Sequence, residues 1–501
     1  MKFSKKIILF ILIFLSITIF FILLWLNSNF AHATFEQILF HINIPDNNPT
    51  FDYKTNLILL TLLPASIITL CFIVLSMDFS KNESLFLYIK LFTKIKFRIQ
   101  IYPIQLFRKY LFIFTIFLIL LSSYLVYQKF KSYNVYGYFF EKTALYDQEY
   151  INPKKIKITF PEKPNNLIVI YLESMETTMQ SKEEGGLFNQ NIIPELTKLA
   201  KDNINFSQSD HVGGSVQVSF TGWTMAAVVA STSGIPLKLS NKKENDMERY
   251  KVFLPNALTL GDILEKEGYN NILMEGSDSK FSGLKTFFQS HGKFQIKDYN
   301  YFKENGLIHK DYLVWWGIED AKLFNFAKQE LTDLSKDQRP FAFVMNTMDT
   351  HFPNGYLDPN ADIKFDNQYA NVNANSSKQL YEFIEWLKSQ SFFKNTTIII
   401  LGDHLSMDNF YKSYDLNQRF PYNCIINSVV QPKHMKNRNF TTFDWFPTII
   451  ESIGGKIDAP GLGLGRSLFG NDQTLLEKMG KDSLNNELSK NSDTFNHFWN
   501  N

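Results

Sequence analysis

Three apolar runs lie in the first quarter of this 501-residue chain. They cover residues 7–25, 57–77 and 110–126. Each run is close to the roughly 20 residues that a helix needs to cross the hydrocarbon core of a bilayer. A signal peptide is the alternative for the first run, but that run is long for one and two further runs follow. The runs therefore predict a transmembrane domain of three helices over residues 1–128.

The charges beside these runs predict how the chain crosses the membrane. The loop between the first two runs carries only the cation Lys54, whereas the next loop is strongly basic. Cytoplasmic loops carry the excess of lysine and arginine, so the N terminus and the basic loop are expected in the cytoplasm. Everything after the third run is then expected outside, unless the second run, which contains Pro64, does not cross. The cations of the basic loop are Lys81, Lys90, Lys94, Lys96, Arg98, Arg108 and Lys109.

Composition excludes several classes of partner and site. The net charge of +2 gives no broad basic field, so we expect no nucleic-acid partner. The two cysteines, Cys71 in an apolar run and Cys424 far along the chain, cannot form a disulfide framework or a cysteine zinc site. The membrane is the partner that the sequence predicts directly.

Beyond the membrane runs, short apolar stretches alternate with helix-like ones. Residues 129–165 are predicted to form a juxtamembrane linker, residues 166–470 a folded domain, and residues 471–501 a polar, mobile tail. The alternation predicts an α/β domain around a central, mostly parallel sheet. The predicted strands are 167–172, 271–274, 340–345 and 396–401, and the predicted helices are 194–202, 258–267, 319–334 and 377–388.

Three of the predicted strands are followed by residues with carboxylate or imidazole side chains, which can bind metals or transfer protons. Glu173 follows the first strand, His351 follows the third after a short loop, and Asp403 and His404 follow the fourth. Ligands of open α/β sheets gather at the carboxyl ends of the strands. Glu173, Asp403 and His404 together suit Mn²⁺, Zn²⁺ or Mg²⁺. Taken singly, each is better explained as a cap or a loop ion pair, but their shared position at strand ends favours a metal site.

Thr224 is the candidate nucleophile. It follows a stretch rich in Gly and Ser and precedes a run of small residues that is typical of a helix. A helix N terminus favours an attacked phosphate because its unpaired N–H groups and its dipole point at the anion. Thr224 could then act as a metal-activated alkoxide. A simple helix cap explains the same spacing, and from spacing alone it is the better explanation.

Four segments in a fixed order resemble one known family. They are LIVIYLESME, TMAAVVASTSGIPL, GDHLSM and GLGLGRSLF. Together they resemble the sulfatase-like branch of the alkaline phosphatase superfamily. Within it they are most similar to the phosphoglycerol transferases that modify periplasmic glucans, and more distantly to the lipoteichoic acid synthases. The similarity covers residues 166–470, and the earlier segment FEQILFHINIP also resembles that family.

The resemblance implies a site and a reaction. Glu173, Thr224, Asp403 and His404 match the family's metal ligands, with Mn²⁺ the expected ion and Thr224 also the nucleophile. His351 matches a substrate-side histidine that serves as general acid or headgroup contact, unless its role is structural. The implied reaction moves sn-glycerol-1-phosphate from phosphatidylglycerol to a periplasmic glucan or other surface glycan. It passes through a phosphothreonine-type intermediate and releases diacylglycerol. The implied location is a bacterial inner membrane, with the catalytic domain in the periplasm.

The chain departs from the lipoteichoic acid synthases where those enzymes bind glycerophosphate. They use a Trp and an Arg after the strand that here holds Met274, and residues 279–285 contain neither. Lys280 is the candidate for the missing positive charge, as a point donor rather than a planar fork. A solvated surface lysine is the alternative.

Three other functions compete with phosphoglycerol transfer. Phosphoethanolamine transferases acting on lipid A or a glycan use the same nucleophile and metal but usually carry several disulfides, which this chain cannot form. A catalytically inactive glycan-binding membrane protein would not need Thr224 with its four-residue metal set. Sulfatase activity is disfavoured because a threonine cannot become formylglycine. The acceptor, the metal and the oligomeric state are not set by the sequence.

Overall fold

The architecture comes from a computed structural model of the chain. It describes residues 3–29, 35–36, 38, 53–76, 85–91, 95–101, 105–131, 134–238, 252–280 and 283–500. The chain divides into two compact units, one of Met1–Ala33 with Phe51–Ser132 and the other of Thr34–Thr50 with Tyr133–Asn501.

The first unit is built from apolar helices. Phe3–Asn29 and Gln105–Phe130 are single α-helices, and Tyr53–Leu57 continues through a π-helical segment, Ile58–Leu62, into Leu63–Leu75. The π-helical segment ends two residues before Pro64, which has no N–H to donate and crowds the carbonyl four residues earlier. Three helices are thus long and apolar enough to cross a membrane, by length and composition. This confirms the three predicted helices, including the one that contains Pro64.

Between the second and third of these helices lies a β-hairpin. Its strands, β1 (Leu85–Leu91) and β2 (Ile95–Ile101), pair antiparallel, with Leu85 opposite Ile101 and Leu91 opposite Ile95. Lys90, Lys96 and Arg98 of the predicted basic loop lie on these strands, whereas Lys81 and Lys94 fall outside the described residues.

The second unit is organised by a six-stranded sheet. Its strands are β4 (Asn166–Leu172), β5 (Asn270–Glu275), β6 (Gln295–Lys297), β7 (Phe341–Asn346), β8 (Thr396–Gly402) and β9 (Asn423–Ile426). Their spatial order is β6-β5-β7-β4-β8-β9, and every pairing is parallel except that of β8 with β9. All four predicted strands are present, which confirms the α/β domain with a mostly parallel sheet.

Helices cover both faces of this sheet. Three of the predicted helices lie close to their expected bounds, as Pro194–Asp202, Leu260–Lys266 and Asp320–Leu334. The fourth, predicted over 377–388, begins earlier and covers Gln368–Lys388. Further α-helices of this unit are Val135–Phe140, Leu145–Glu149, Thr224–Ser233, Leu284–Ser290, Tyr299–Glu304, Trp445–Ser452, Leu475–Met479, Lys481–Ser489 and Asp493–His497. The described residues of this unit also form two two-stranded sheets: β3 (Ile158–Thr159) with β10 (Lys456–Ile457), and β11 (Gly461–Leu462) with β12 (Gly465–Arg466).

The central strand β4 divides the core into two layers. Leu167, Val169 and Tyr171 belong to one buried cluster, and Ile168 and Ile170 belong to the other. Successive side chains of a strand point to opposite faces, so a strand covered on both faces is a continuous apolar run. This burial fixes where β4 ends and therefore where Glu173 stands.

The predicted linker is part of the folded unit. Residues 129–165 contain two short helices and β3, and the side chains of Tyr138, Leu145 and Tyr146 are buried in the core. Leu145 and Tyr146 open one of the short helices and Tyr138 lies within the other. The prediction of a separate linker is wrong because these few aromatic and apolar residues dock on the domain despite the polar surroundings.

The prediction of a mobile C-terminal tail is also wrong. Residues 471–501 contain three helices whose apolar residues recur at helical spacing and are buried in the same core: Leu475, Leu476, Leu484, Leu488, Phe495, Phe498 and Trp499. The buried ammonium of Lys238 also donates to the carbonyls of Ser489 and Lys490, at 2.6 and 2.7 Å. A polar average composition hid a regular apolar face.

Candidate active site at the carboxyl edge of the sheet

Glu173 is placed by the end of β4. The strand ends at Leu172, and Ser174 then takes a positive φ of 53°, which turns the chain sharply. The Glu173 backbone N–H donates to Thr347 Oγ1 at 3.1 Å, and Ser174 Oγ donates to Glu173 Oε1 at 2.6 Å. The backbone of Glu173 is thus tied to the residue after β7 and its carboxylate to Ser174, and only 1% of the residue is exposed.

Asp403 and His404 follow the neighbouring strand, β8. Asp403 Oδ1 accepts N–H bonds from Ser174 and His404, at 2.7 and 2.8 Å. His404 Nδ1 lies 2.9 Å from the carbonyl oxygen of Leu405, which can only accept, so Nδ1 carries the proton. Nε2 then presents its lone pair, the form in which imidazole binds metals. Gly402 fits here because a Cβ would lie 2.0 Å from the carbonyl oxygen of Met175.

Thr224 is the first residue of the helix Thr224–Ser233. Trp223 before it is extended, so the helix begins at the threonine, and the remaining nine residues of the helix are buried. Thr224 Oγ1 lies 3.1 Å from Glu173 Oε2 and 3.5 Å from His404 Nε2. The N-cap residue, Trp223, makes no side-chain capping hydrogen bond to this helix. The hydroxyl and the first N–H groups of the helix thus face the same region as the carboxylates.

The four residues Glu173, Thr224, Asp403 and His404 form one cluster, named here the metal cluster. Ligand atoms of Glu173, Asp403 and His404 all lie within 4.8 Å of one another, and His404 Nε2 is 3.4 Å from Asp403 Oδ2. Asp403 Oδ2 is buried without a hydrogen-bond partner among the described residues. A buried oxygen of this kind in a set of two carboxylates and an imidazole fits a divalent cation. The structure brings the four predicted residues together.

The charged groups of the cluster shift one another's pKa values. Burial alone would raise the pKa of Glu173, but the His404 and His351 imidazoles and the bonds from Ser174 and Thr224 hold it below its usual value. Burial and the charge of Glu173 raise the pKa of Asp403 to about 7. Burial would lower the pKa of His404, yet the carboxylates of Asp403 and Glu173 outweigh it and raise that pKa. The excess negative charge is what a bound cation would neutralise.

His351 stands on the loop after β7. Thr350 Oγ1 donates to the carbonyl of Glu173, which ties this loop to the metal cluster. His351 Nδ1 lies 2.6 Å from the carbonyl oxygen of Phe352, so this nitrogen donates and Nε2 is the one that can exchange a proton with a substrate. The imidazole is near enough to lower the pKa of Glu173. The predicted substrate-side histidine therefore lies beside the predicted metal ligands.

A second set of carboxyls, Glu275, Asp320 and Asp349, lies at the same sheet edge and is named here the acidic group. Glu275 ends β5 and accepts from Ser277 Oγ and Asn346 Nδ2, at 2.9 and 2.8 Å. Asp320 accepts the backbone N–H bonds of Met348 and Asp349, at 2.7 and 3.2 Å. Burial raises the pKa of Glu275 to about 8 and of Asp320 to about 7, and it raises that of Asp349 strongly as well.

Lys280 does not join the cluster. Its residue is exposed, and its backbone N–H donates to Asp278 Oδ1 at 3.0 Å. Its side chain takes part in none of the hydrogen bonds or ion pairs of the metal cluster in the part of the chain that is described. The headgroup role of Lys280 stays a prediction.

Several residues beside the site escaped the sequence analysis. Gln217 accepts the backbone N–H of Leu405 at 2.8 Å, Asp320 supports the loop of His351, and Trp316 contacts the His351 ring. Gln217 and Asp320 carry no local signal of this role. The adjacent indoles of Trp315 and Trp316 were a visible signal, since the chain has only seven tryptophans.

Known proteins are similar to this chain over the region that holds the site. The sulfatase family profile matches residues 165–455. Phosphoglycerol transferase I of Xanthomonas campestris pv. campestris (strain B100) is 31% identical over 322 residues, which are 62% of this chain and 43% of that protein. Phosphoglycerol transferase I of Escherichia coli (strain 55989 / EAEC) is 30% identical over 328 residues, 64% of this chain and 40% of that protein. The chain thus spans less than half the length of these curated relatives.

Solved structures are also similar to this chain over a comparable share of its length. The lipoteichoic acid synthase LtaP from Listeria monocytogenes aligns with a TM-score of 0.47 and 19% identity, covering 64% of this chain and 79% of that one.

Proposed function

This chain belongs to the sulfatase family, and from that premise we propose that it is a membrane-bound, metal-dependent phosphoglycerol transferase. The observation that carries the proposal is the position of Thr224, whose hydroxyl lies at a helix N terminus 3.1 Å from Glu173 and 3.5 Å from His404. A hydroxyl so placed, with carboxylates and an imidazole around it, suits a nucleophile for phosphorus. The two curated relatives carry the name phosphoglycerol transferase I, which supports this choice of transferred group.

The donor in this proposal is phosphatidylglycerol. Thr224 Oγ1, whose proton has been released to solvent, attacks the phosphorus as the alkoxide, the bond from phosphorus to the diacylglycerol oxygen breaks, and that oxygen takes up a proton. The product on the protein is a phosphoglycerol ester of Thr224. A hydroxyl of the acceptor then attacks the same phosphorus and gives up its proton, and the Thr224 oxygen leaves. His351 gives the proton in the first step and removes it in the second.

The residues that would hold a divalent ion are Glu173, Thr224, Asp403 and His404, and Mn²⁺ is the ion we propose. Such an ion would favour the deprotonated threonine and screen the charge of the phosphoryl group. The protein contributes the fixed positions, because each carboxylate is anchored at the end of a central strand. His404 contributes a neutral nitrogen whose orientation is set by its bond to the Leu405 carbonyl.

The partners and the location follow from the same proposal. The acceptor is a periplasmic glucan or another surface glycan, and the donor lipid is taken from the membrane that the three apolar helices cross. The basic loop between the second and third helices favours a cytoplasmic position for that loop. The catalytic unit then lies on the periplasmic side of a bacterial inner membrane.

The proposal is tested with the full chain in detergent or lipid discs. Labelled phosphatidylglycerol, Mn²⁺ and a glucan should give free diacylglycerol and a labelled glucan, and a chelator should stop both. Thr224→Ala should reduce diacylglycerol release by about 10³-fold or more, since it removes the attacking atom. The matched control is Thr332→Ala, an exposed helix residue, which should behave as wild type.

Two results would reject the proposal. Turnover by Thr224→Ala at the rate of Thr332→Ala would reject the nucleophile. Release of label from phosphatidylethanolamine but not from phosphatidylglycerol would replace the donor with the competing phosphoethanolamine class.

A further inference from the structure

The imidazole of His351 lies between two aromatic rings. The ring of Phe352 is stacked on it at 4.8 Å between centroids and 18° between planes. The indole of Trp316 contacts it at 4.6 Å and 58°. Together with the 2.6 Å bond from Nδ1 to the Phe352 carbonyl, these contacts restrict the tilt and the rotation of the imidazole. Of the two rings, only that of Trp316 comes from a different segment of the chain.

Trp316 is carried by a tight turn. The backbone N–H of Val314 donates to the carbonyl of Gly317 at 2.9 Å, and that of Gly317 donates to the carbonyl of Val314 at 3.0 Å. Within the turn Trp315 has a φ of 57°, which is unusual for a bulky residue and costs energy. The chain thus keeps a strained backbone to hold two consecutive indoles, Trp315 and Trp316, at this position.

The turn is anchored to the end of β5. Gly317 pairs with Ser277, and the N–H of Ile318 donates to the carbonyl of Gly276 at 2.9 Å. The approach is so close that a Cβ on Gly317 would lie 2.1 Å from the Gly276 carbonyl oxygen. The indole of Trp316 is therefore fixed to the sheet edge rather than to a mobile surface loop.

We propose that Trp316 is a positioning residue for His351. The indole holds the imidazole so that Nδ1 stays on the Phe352 carbonyl and Nε2 remains the nitrogen that transfers the proton. The same loop is also held by Asp320, the first residue of the next helix, whose carboxylate accepts the backbone N–H bonds of Met348 and Asp349. This inference rests on the proposed function, because it assigns Trp316 to the proton-transfer step of the same site. It predicts that loss of the ring slows the chemical step without weakening the binding of the lipid.

The experiment compares Trp316→Leu with Trp316→Phe in the full chain. Trp386→Leu is the matched control, since Trp386 is a half-buried indole stacked on Phe383 at 5.7 Å, on the helix Gln368–Lys388. Diacylglycerol release should show a kcat reduced roughly tenfold or more in Trp316→Leu, because loss of general acid–base help costs about 10²–10⁴-fold. KM for phosphatidylglycerol should stay within about twofold of wild type. Trp316→Phe, which keeps a ring, should recover most of kcat.

A second readout does not depend on turnover. In protein with isotope-labelled histidine, the signal of His351 is assigned by its loss in His351→Gln. It should shift in Trp316→Leu, because the ring current of the indole is removed, and should not shift in Trp386→Leu. No shift would overturn the contact, even if phosphatidylglycerol proves not to be the donor.

Three kinetic outcomes would also overturn the inference. One is a kcat of Trp316→Leu equal to that of Trp386→Leu. Another is a Phe variant no better than the Leu variant, which would mean that the aromatic ring is not what matters. The third is an effect confined to KM for the glucan, which would make the indole an acceptor-binding surface. An inactive wild type, in contrast, would reject the proposed function, and the histidine signal would still decide the contact.

Discussion

Two sets of buried carboxyls stand at the same edge of the same sheet, and they differ in their electrostatics. In the metal cluster, His404 and His351 hold the pKa of Glu173 below its usual value, although burial and Glu173 raise that of Asp403 to about 7, and the ligand atoms of Glu173, Asp403 and His404 converge within 4.8 Å. In the acidic group, burial raises the pKa of Glu275 to about 8 and of Asp320 to about 7. Residue type and burial are nearly the same in both sets.

The difference lies in what each carboxylate faces. Glu173 faces an imidazole and a hydroxyl, whereas Glu275 faces a serine hydroxyl and the amide of Asn346, and Asp320 faces backbone N–H groups. Neutral donors stabilise a buried carboxylate less than an opposite charge does. The first set is therefore suited to a cation, and the second to supporting the loops that carry His351. Both sets lie at the same sheet edge, so their position does not distinguish a metal site from a structural group. The charged groups around the carboxylates do.

The largest expected effect comes from Glu173→Gln. Removing one charged ligand should lower the turnover of phosphatidylglycerol by about 10³-fold or more and should weaken Mn²⁺ binding by at least about 100-fold. Activity and metal content after dialysis are measured on the same sample. The same substitution in the acidic group, Glu275→Gln, is the control, and equal metal loss in both variants would erase the distinction between the two sets.

A moderate effect is expected from Asp320→Asn. The amide keeps one acceptor oxygen for the two N–H groups of Met348 and Asp349, so the loop that presents His351 should loosen. A kcat reduced by about tenfold, with unchanged metal content, is the expected result. The control is Asp333→Asn, exposed on the same helix. Loss of Mn²⁺ from Asp320→Asn would place Asp320 in the metal cluster instead.

The smallest effect on activity is expected from Glu275→Gln, whose main signature is in stability. The pKa of Glu275 is about 8 in the folded protein and 4.5 ordinarily, so the unfolded chain releases this proton first as pH rises. The native state therefore loses stability between about pH 4.5 and 8, on the order of a few kcal/mol at most, and keeps it below that range.

The glutamine variant has no such titration. Thermal unfolding at pH 5 and pH 8 should therefore show a smaller loss of stability with rising pH for Glu275→Gln than for wild type. Turnover should stay within about threefold of wild type. If stability changes with pH in the same way in both proteins, the pKa of Glu275 is not raised and the account of this residue is wrong.

Much of the fold could be predicted because burial leaves local patterns. The three apolar helices and the four long strands were continuous apolar runs, and Glu173, Asp403 and His404 followed from strand ends. Residues 129–165 and 471–501 were misjudged because their buried residues, such as Tyr138 and Leu488, are few among polar neighbours. Average composition is a poor guide where a helix buries only one face.

The supporting residues of the site could not be predicted for a different reason. Trp316 meets His351, and Asp320 meets Met348 and Asp349, only because the segment that leads into the helix Asp320–Leu334 and the loop after β7 converge at one sheet edge. Such contacts depend on register and turn geometry and leave no periodic signal in the sequence. The resemblance supplied the roles of Thr224 and His351, which spacing alone did not.

Pulsed electron paramagnetic resonance of the full chain loaded with Mn²⁺ tests the metal cluster most directly. Wild type should show the nitrogen coupling of one imidazole on the ion. That coupling should persist in His351→Gln and disappear in His404→Gln. A coupling that survives His404→Gln, or bound Mn²⁺ with no imidazole coupling in the wild type, would contradict the assignment of the four residues to one ion.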